Sequence, residues 1–489
     1  MAKSQPQAKP KPKPKPSLRT ARQPAAKETN AAQKAATKGR AAAAAIAPAP
    51  KPTRKSSTKV AAKVATKPSG SPTPKASVKA TIVTLRTSAM PGASYEIVVG
   101  AGLLGARTPG LVGALAGCRA CVVAVDAGLG PGVVEPLIRM VDGLGLRWGV
   151  VVMKADEHDK SMANVERLMV EAARLRLERS DAFVALGGGI VGDLTGFAAA
   201  SYRRGVNVVQ CPTTLLAMVD ASVGGKTGVN LLVPEDGDAG APGRAHAKLR
   251  LVKNVAGAFH QPRAVIADVA TLSTLAPREL RSGLAECLKH ALIGGSAGDP
   301  ALLGWTLARL DRFLALDAPA LSELVVRNVR VKARVVAKDE RETSTKPDGG
   351  RMMLNLGHTF AHAIETLPGL SWHLPGGAVQ LGPLTHGEAV ALGLLSASRV
   401  SESLGLTARG AAQAVGDALD RVGLPRRVAG LPPSATIIDR MMDDKKTSGR
   451  RLRLILPVKG LKVRVVDNPR LDAVVDAIDQ LRADLSRSS

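Results

Sequence analysis

The 489-residue chain has few aromatic residues: Phe, Trp and Tyr make up 2% of it. Its core must therefore be built from Ala, Val and Leu, which suits buried parallel strands and closely packed helices. Cysteine is scarce too, with Cys118, Cys121, Cys211 and Cys287 the four present. That is too few for a disulfide scaffold in a chain this long, and it fits a reducing cytoplasm. Cys118 and Cys121 form a CxxC, but a zinc ribbon needs a second pair, and none exists. The "CVVAVD" that follows reads as a strand, so ordinary buried thiols are expected. No apolar run approaches the roughly 18 residues of a membrane span, and no charged start with an apolar centre marks a signal peptide. The expectation is a cytoplasmic protein with no membrane contact. Acid is nearly missing from residues 1–80, where 19 Lys and Arg face a single Glu28.

That basic segment holds about two thirds of the chain's net charge of +27. It is low-complexity ("KPKPKPKP", "AAAAAIAPAP", "KPSGSPTPKAS") and nearly free of large apolar residues. Such a segment cannot bury enough surface to offset its ordering entropy, so residues 1–80 are expected to be a disordered tail. It reads as a solvated appendage, or as an electrostatic contact with nucleic acid or another polyanion. A transit peptide would favour Arg and Ser over this Lys and Pro.

From Thr81 the texture changes. "ATIVTL", "YEIVVGAG", "RACVVAVDAGLG" and "LRWGVVVMKADE" read as strands, and "SMANVERLMVEAARLRLERS" as a helix. "DAFVALGGGIVGDLTGFAAASY" and "VNVVQCPTTLLAMVDAS" each read as strand, turn, helix. This alternation predicts an α/β domain with a Rossmann-like, mostly parallel sheet over 81–270. Beyond about Pro277 nearly everything reads as helix, apart from a late strand in "RLRLILPV". A mostly α-helical domain is therefore expected over 271–489, with a small-molecule site in the cleft between the two.

Gly187, Gly189 and Gly192 satisfy GxGxxG after a strand and at the start of a helix. That arrangement lets backbone approach a pyrophosphate. The acid usual some twenty residues on is missing, and Asp193 follows the glycines directly. "VDASVGGKTGVN" is similar to a phosphate loop but has Asp220 where GxxxxGK[ST] needs glycine, which excludes a P-loop nucleotidase. Lys226 beside two glycines suggests an anion held close to the backbone. Glu286 and Lys289 are three apart on one helical face, an ordinary ion-pair spacing. His358 and His362 in "LNLGHTFAHAIE" are four apart, as in some metal sites. "THGEAV" adds His386, and Glu plus two His with an open position is a catalytic metal set.

"GGGIVGDLTGFAAASYRRG", "QCPTTLLAMVDASVGGKTGVN", "KNVAGAFHQPRAVIAD", "LRSGLAECLKHALI", "VKARVVAKDERE", "LNLGHTFAHAIE" and "HGEAVALG" occur in one order. In that order they closely resemble the 3-dehydroquinate synthase family over roughly residues 80–480. The resemblance implies a lyase that oxidises 3-deoxy-D-arabino-heptulosonate 7-phosphate with tightly bound NAD, eliminates phosphate, returns the hydride and closes the carbocycle. It implies one divalent metal, zinc or cobalt, on Glu286, His358 and His386, with His362 contacting substrate instead. Asp220, Lys289, Lys332, Asn355 and His362 match catalytic positions. Lys226, Asn254, Arg351 and one of Lys445 or Lys446 match substrate positions, and Arg204 matches an arginine donated across a homodimer. For NAD the matches are Asp126, Glu157, Lys160, Gly188, Gly189, Asp193, Thr213, Thr214, Lys253, Thr274 and Leu275, with Asp220 and Lys226 alongside. Rival readings are an aminodehydroquinate- or valiolone-type cyclase and a metal-dependent polyol dehydrogenase. Arg351, Asn355 and His362 argue against the valiolone type. Residues 231–252, 343–350 and 369–385 are longer than the family usually has there and read as surface loops.

Overall fold

The structure is a computed structural model that describes residues 79–86, 94–234, 249–373, 377, 379–443 and 451–483. The disorder expected of the basic tail, and Lys445 and Lys446, lie outside the described residues, although Ala80 already opens the first strand.

Seven strands form the main sheet: β1 (Ala80–Arg86), β2 (Ser94–Gly100), β3 (Ala120–Asp126), β4 (Arg147–Met153), β5 (Ala182–Gly187), β6 (Asn207–Pro212) and β9 (Ala264–Asp268). Their order is β1-β2-β9-β6-β5-β3-β4, parallel throughout except for the β1–β2 pair. All of β5 and most of β3 are buried, which explains why "CVVAVD" and "AFVALG" are continuous apolar runs rather than alternating ones. Helices cover both faces, and from Pro277 the described chain is mostly helical. The β1–β2–β9 end shares one apolar cluster with those helices, in which Leu85, Ile97 and Val265 join Leu284, Leu324 and Leu392. No helix among the described residues is long and apolar enough to cross a membrane. All four cysteines are free; Cys121, Cys211 and Cys287 are buried, while Cys118 is half-buried and donates to Ser180 O at 3.2 Å.

Two of the expected surface loops are partly strand. β7 (Lys226–Pro234) and β8 (Leu249–Phe259) form an antiparallel ribbon in which Leu231 pairs with Val252 and Pro234 with Leu249. Both ends of the 231–252 insertion thus extend a hairpin, leaving only 235–248 outside the described residues. In the 369–385 insertion Ser371–His373 pairs with Val379–Leu381, burying Trp372 under the Arg278 guanidinium. His373 is exposed there, with Nδ1 3.2 Å from Gly377 O. The 343–350 segment is a loop tied to the body: the Asp339 carboxylate accepts from Thr343 N, Ser344 N and Arg351 N.

Candidate active site

Six elements converge beside the carboxyl ends of the parallel strands. The Pro277–Leu292 helix carries Glu286 and Lys289, both fully buried. The Ala318–Lys338 helix carries Lys332. A 3-10 turn, Gly350–Asn355, presents Arg351 and Asn355, and the His358–Glu365 helix follows. The sequence pattern predicts helix from Leu354; it starts later because Gly357 sits at φ +78°, and a Cβ there would lie 2.7 Å from Leu394 N. His386 opens the next helix, fixed by a capping box in which Thr385 and Glu388 exchange hydrogen bonds. Such a cap contributes about 1 kcal/mol and sets where the imidazole enters the site.

Asp220 owes its position to a π-helical turn, Ala217–Ala221, where an α-helix is expected from the sequence. The Ser222 N–H and hydroxyl both donate to Ala217 O, closing the wider turn. Such one-turn insertions re-aim side chains at functional sites. Here the turn places the Asp220 carboxylate 2.8 Å from Lys289 Nζ and in contact with Lys332 Nζ. Lys289 also contacts Glu286. Burial opposes charge on Lys289, but the two carboxylates outweigh it and raise its pKa. Burial pushes Lys332 down to about 8, with Asp220 resisting and Arg351 assisting.

Around Glu286 the donor atoms of His358 and His386 close in, and one atom from each of the three residues lies within 4.8 Å of the other two. His358 Nε2 is 3.7 Å and His386 Nε2 3.4 Å from Glu286 Oε1, a buried oxygen that no hydrogen bond satisfies. His358 Nδ1 lies 3.2 Å from Leu356 O, which fixes the tautomer with Nε2 free. Burial pushes the His358 pKa down to about 3. Burial would raise the Glu286 carboxyl, but the Lys289 ammonium holds it at about 2. Burial opposes charge on His386, but Glu286 and Glu365 outweigh it and raise its pKa to about 10. A divalent cation takes the place of that proton, so two imidazoles and an ionised carboxylate aimed at one point fit a cation with an open position. His362 is exposed, its ring edge-to-face with His358 at 5.5 Å.

Glu342, which the sequence reading did not single out, joins Lys226 and Asn355; Asn355 Nδ2 donates to it at 2.9 Å. It holds a left-handed backbone at φ +57° to do so, and strain of this kind gathers at functional sites. Arg351 is buried and donates to Gly224 O at 2.9 Å and to Glu340 O. The expected anion turn at Gly224-Gly225 is filled by side chains, since Cβ atoms there would meet Arg351 and Gln261 at 2.7 Å each.

The dinucleotide candidates fall in two groups. Lys160 Nζ donates to Asp193 Oδ2 and to Asn254 Oδ1, each at 2.5 Å, and Lys253 lies 3.3 Å from Glu157. Gly188 caps the Gly189–Ser201 helix beside Thr214, and the Thr213 N–H donates to Gly187 O. Thr274 lines a separate cleft of about 430 Å³ with Gly102, Gly130 and Asp268; Leu275 follows it, and Asp126 ends β3. Arg204 is not among these groups. It is exposed in the Tyr202–Arg204 turn at φ +65°.

Family models for the 3-dehydroquinate synthase N-terminal region match residues 150–237 and 231–282, and the model for its C-terminal region matches 283–447. The chain belongs to the 3-dehydroquinate synthase family. It is 41% identical over 367 residues to 3-dehydroquinate synthase of Xylella fastidiosa strain M12, covering 74% of this chain and 89% of that protein. Its identity to the 3-dehydroquinate synthase of Nitrobacter winogradskyi is 39% over 376 residues, covering 75% and 88%. Among solved structures, 2-epi-5-epi-valiolone synthase from Streptomyces hygroscopicus subsp. jinggangensis 5008, with NAD+ and Zn2+ bound, is 26% identical with a TM-score of 0.64. That match covers 81% of this chain and 99% of the other. A 2-deoxy-scyllo-inosose synthase shares the fold at 21% identity and the same TM-score, with 82% and 99% covered. Family membership makes this chain a lyase acting on a sugar phosphate.

Proposed function

We propose that this chain converts 3-deoxy-D-arabino-heptulosonate 7-phosphate to 3-dehydroquinate and phosphate, a step of the shikimate pathway. One observation carries the reading: the Glu286, His358 and His386 donor set meets the buried Asp220–Lys289–Lys332 cluster in a single site. A divalent zinc or cobalt ion on those three donors supplies polarisation of a substrate hydroxyl. NAD, held by the two groups of candidates above, supplies its reversible oxidation.

The chain's own residues do the rest. Lys332, with a pKa near 8, can hold or release a proton close to neutral pH. Asp220 gathers the buried Lys289 and Lys332 ammonium groups on one carboxylate. Arg351 and Lys332 supply positive charge for the substrate carboxylate, while Lys226, Asn254, Asn355 and His362 face its hydroxyls and phosphate. Lys445 or Lys446 completes that set. We place NAD binding in 81–270, and metal and substrate binding in 271–489.

The test uses purified chain, substrate, zinc and NAD at far below substrate concentration. Phosphate and 3-dehydroquinate are expected in equal amounts with no standing NADH. NADH accumulating without phosphate release would favour a polyol dehydrogenase. A carbocycle other than 3-dehydroquinate would favour a related cyclase.

We further propose a homodimer in which Arg204, exposed in the Tyr202–Arg204 turn, reaches the neighbouring subunit's site, because it matches an arginine donated across the interface in the family it belongs to. Mixing Arg204→Ala with Glu286→Gln subunits is then expected to restore about a quarter of wild-type turnover, the share of sites carrying both intact residues under statistical pairing. No recovery after confirmed subunit exchange argues for separate sites.

The tail reads as an appendage to a cytoplasmic enzyme. Deleting residues 1–78 is expected to leave turnover within about twofold and to abolish any salt-sensitive DNA or RNA binding of the full chain. A large loss of turnover, or equal binding by both forms, contradicts this.

A further inference from the structure

Glu365 ends the "HAIE" run, and none of the roles described so far uses it. It is the last residue of the His358–Glu365 helix, where the macrodipole disfavours a negative charge. Its side chain is 9% exposed, so the carboxylate is also largely removed from water. The His386 ring and the Lys253 ammonium hold it there. His386 Nδ1 lies 3.6 Å from Oε2, and Lys253 Nζ lies 3.0 Å from Oε1. The opposite ring nitrogen of His386, Nε2, faces Glu286 in the metal set. Lys253 in turn contacts Glu157 Oε1, whose other oxygen accepts from Asn230 at 2.6 Å. One carboxylate therefore spans a metal ligand on one side and a dinucleotide candidate on the other, across two elements distant in sequence.

We propose that Glu365 is a positioning residue that couples the two cofactor sites, so that metal on the Glu286–His358–His386 set tightens NAD binding through Lys253, and NAD tightens metal binding equally. The inference rests on the metal and NAD reading above. A cation on Nε2 takes the place of the proton there and locks the His386 ring with Nδ1–H toward Oε2, 3.6 Å away, so that the two close into a hydrogen bond that fixes the carboxylate. A fixed carboxylate holds Lys253 in one place. NAD then binds a lysine already ordered, so the ordering cost is met once for both ligands. Linkage makes the effect reciprocal.

The experiment measures NAD affinity calorimetrically on the full chain, first stripped with chelator and then saturated with Zn2+. Wild type is expected to bind NAD about tenfold more tightly with metal. In Glu365→Gln, which keeps shape and loses charge, that ratio is expected to fall to about one. Metal affinity falls 10- to 100-fold in the same variant, and the visible spectrum of its Co2+ form shifts. Lys253→Met leaves the metal ligands alone. It is expected to keep metal affinity within about twofold and still lose the ratio, which tests the coupling even if the Glu365 variant does not fold. A wild-type ratio of one overturns the proposal, as does a wild-type ratio retained in either folded variant. Wild-type protein that binds no metal, or no NAD, overturns the underlying reading of the site instead.

Discussion

His358→Ala is expected to purify without metal and without measurable turnover, whereas His362→Ala keeps its metal and loses about 10²- to 10⁴-fold in turnover. The two imidazoles are one helical turn apart, and spacing alone gives them equal claims. Their surroundings separate them. His358 Nε2 points at the unsatisfied Glu286 Oε1 from a largely enclosed position, with Nδ1 anchored on Leu356 O. His362 is exposed beside it. Losing one of three ligands leaves Glu286 and His386, too few to hold a catalytic ion of this kind. Losing the exposed ring removes a group that can touch substrate and nothing the ion needs. Elemental analysis and turnover on the same preparations separate the cases. Equal metal loss in both variants would mean that His362 is also a ligand.

The sheet was legible because parallel strands buried on both faces leave continuous apolar runs between glycine turns, as in "AFVALGGG". The helical half was legible from its 3.6-residue period. A Glu and His set was visible because histidine is scarce here and its motifs are local, but the choice of Glu286, His358 and His386 over His362 rested on the family resemblance. Glu342 and Glu365 escaped notice because single acids near a motif look like solvated surface, and their significance lies in partners distant in sequence. The π-turn under Asp220 escaped for another reason: its residues have ordinary helix propensity, and packing rather than local preference inserts the extra residue. The strands of the 231–252 insertion were read as loop because a two-stranded ribbon with one exposed face has too short an alternating pattern to stand out.

Asp220→Asn is expected to cost turnover about 10³-fold, to weaken the fold by about 3 kcal/mol, and to move one limb of the pH profile. Wild-type Asp220 sits between two buried lysines. The amide keeps the shape and removes the charge, leaving Lys332 with neutral carbonyl acceptors at this position and Lys289 with Glu286 as its charged partner. Removing one partner of a buried ionic cluster typically costs about 3–5 kcal/mol. The surviving contacts put this case at the lower end. The sign of the pH effect follows from the causes acting on Lys332. Burial lowers its pKa, Arg351 lowers it further, and Asp220 alone among its close contacts raises it, giving about 8. Without that carboxylate the pKa falls below 8, so the protonated fraction at pH 7.5 drops. The limb of kcat/KM that reports this proton therefore moves to lower pH, by about one unit or more. Denaturant unfolding reads the stability change, and residual activity from pH 6 to 9 reads the limb. A limb that stays in place while turnover falls would assign the titration to another group and leave Lys332 a purely electrostatic contact for the substrate carboxylate.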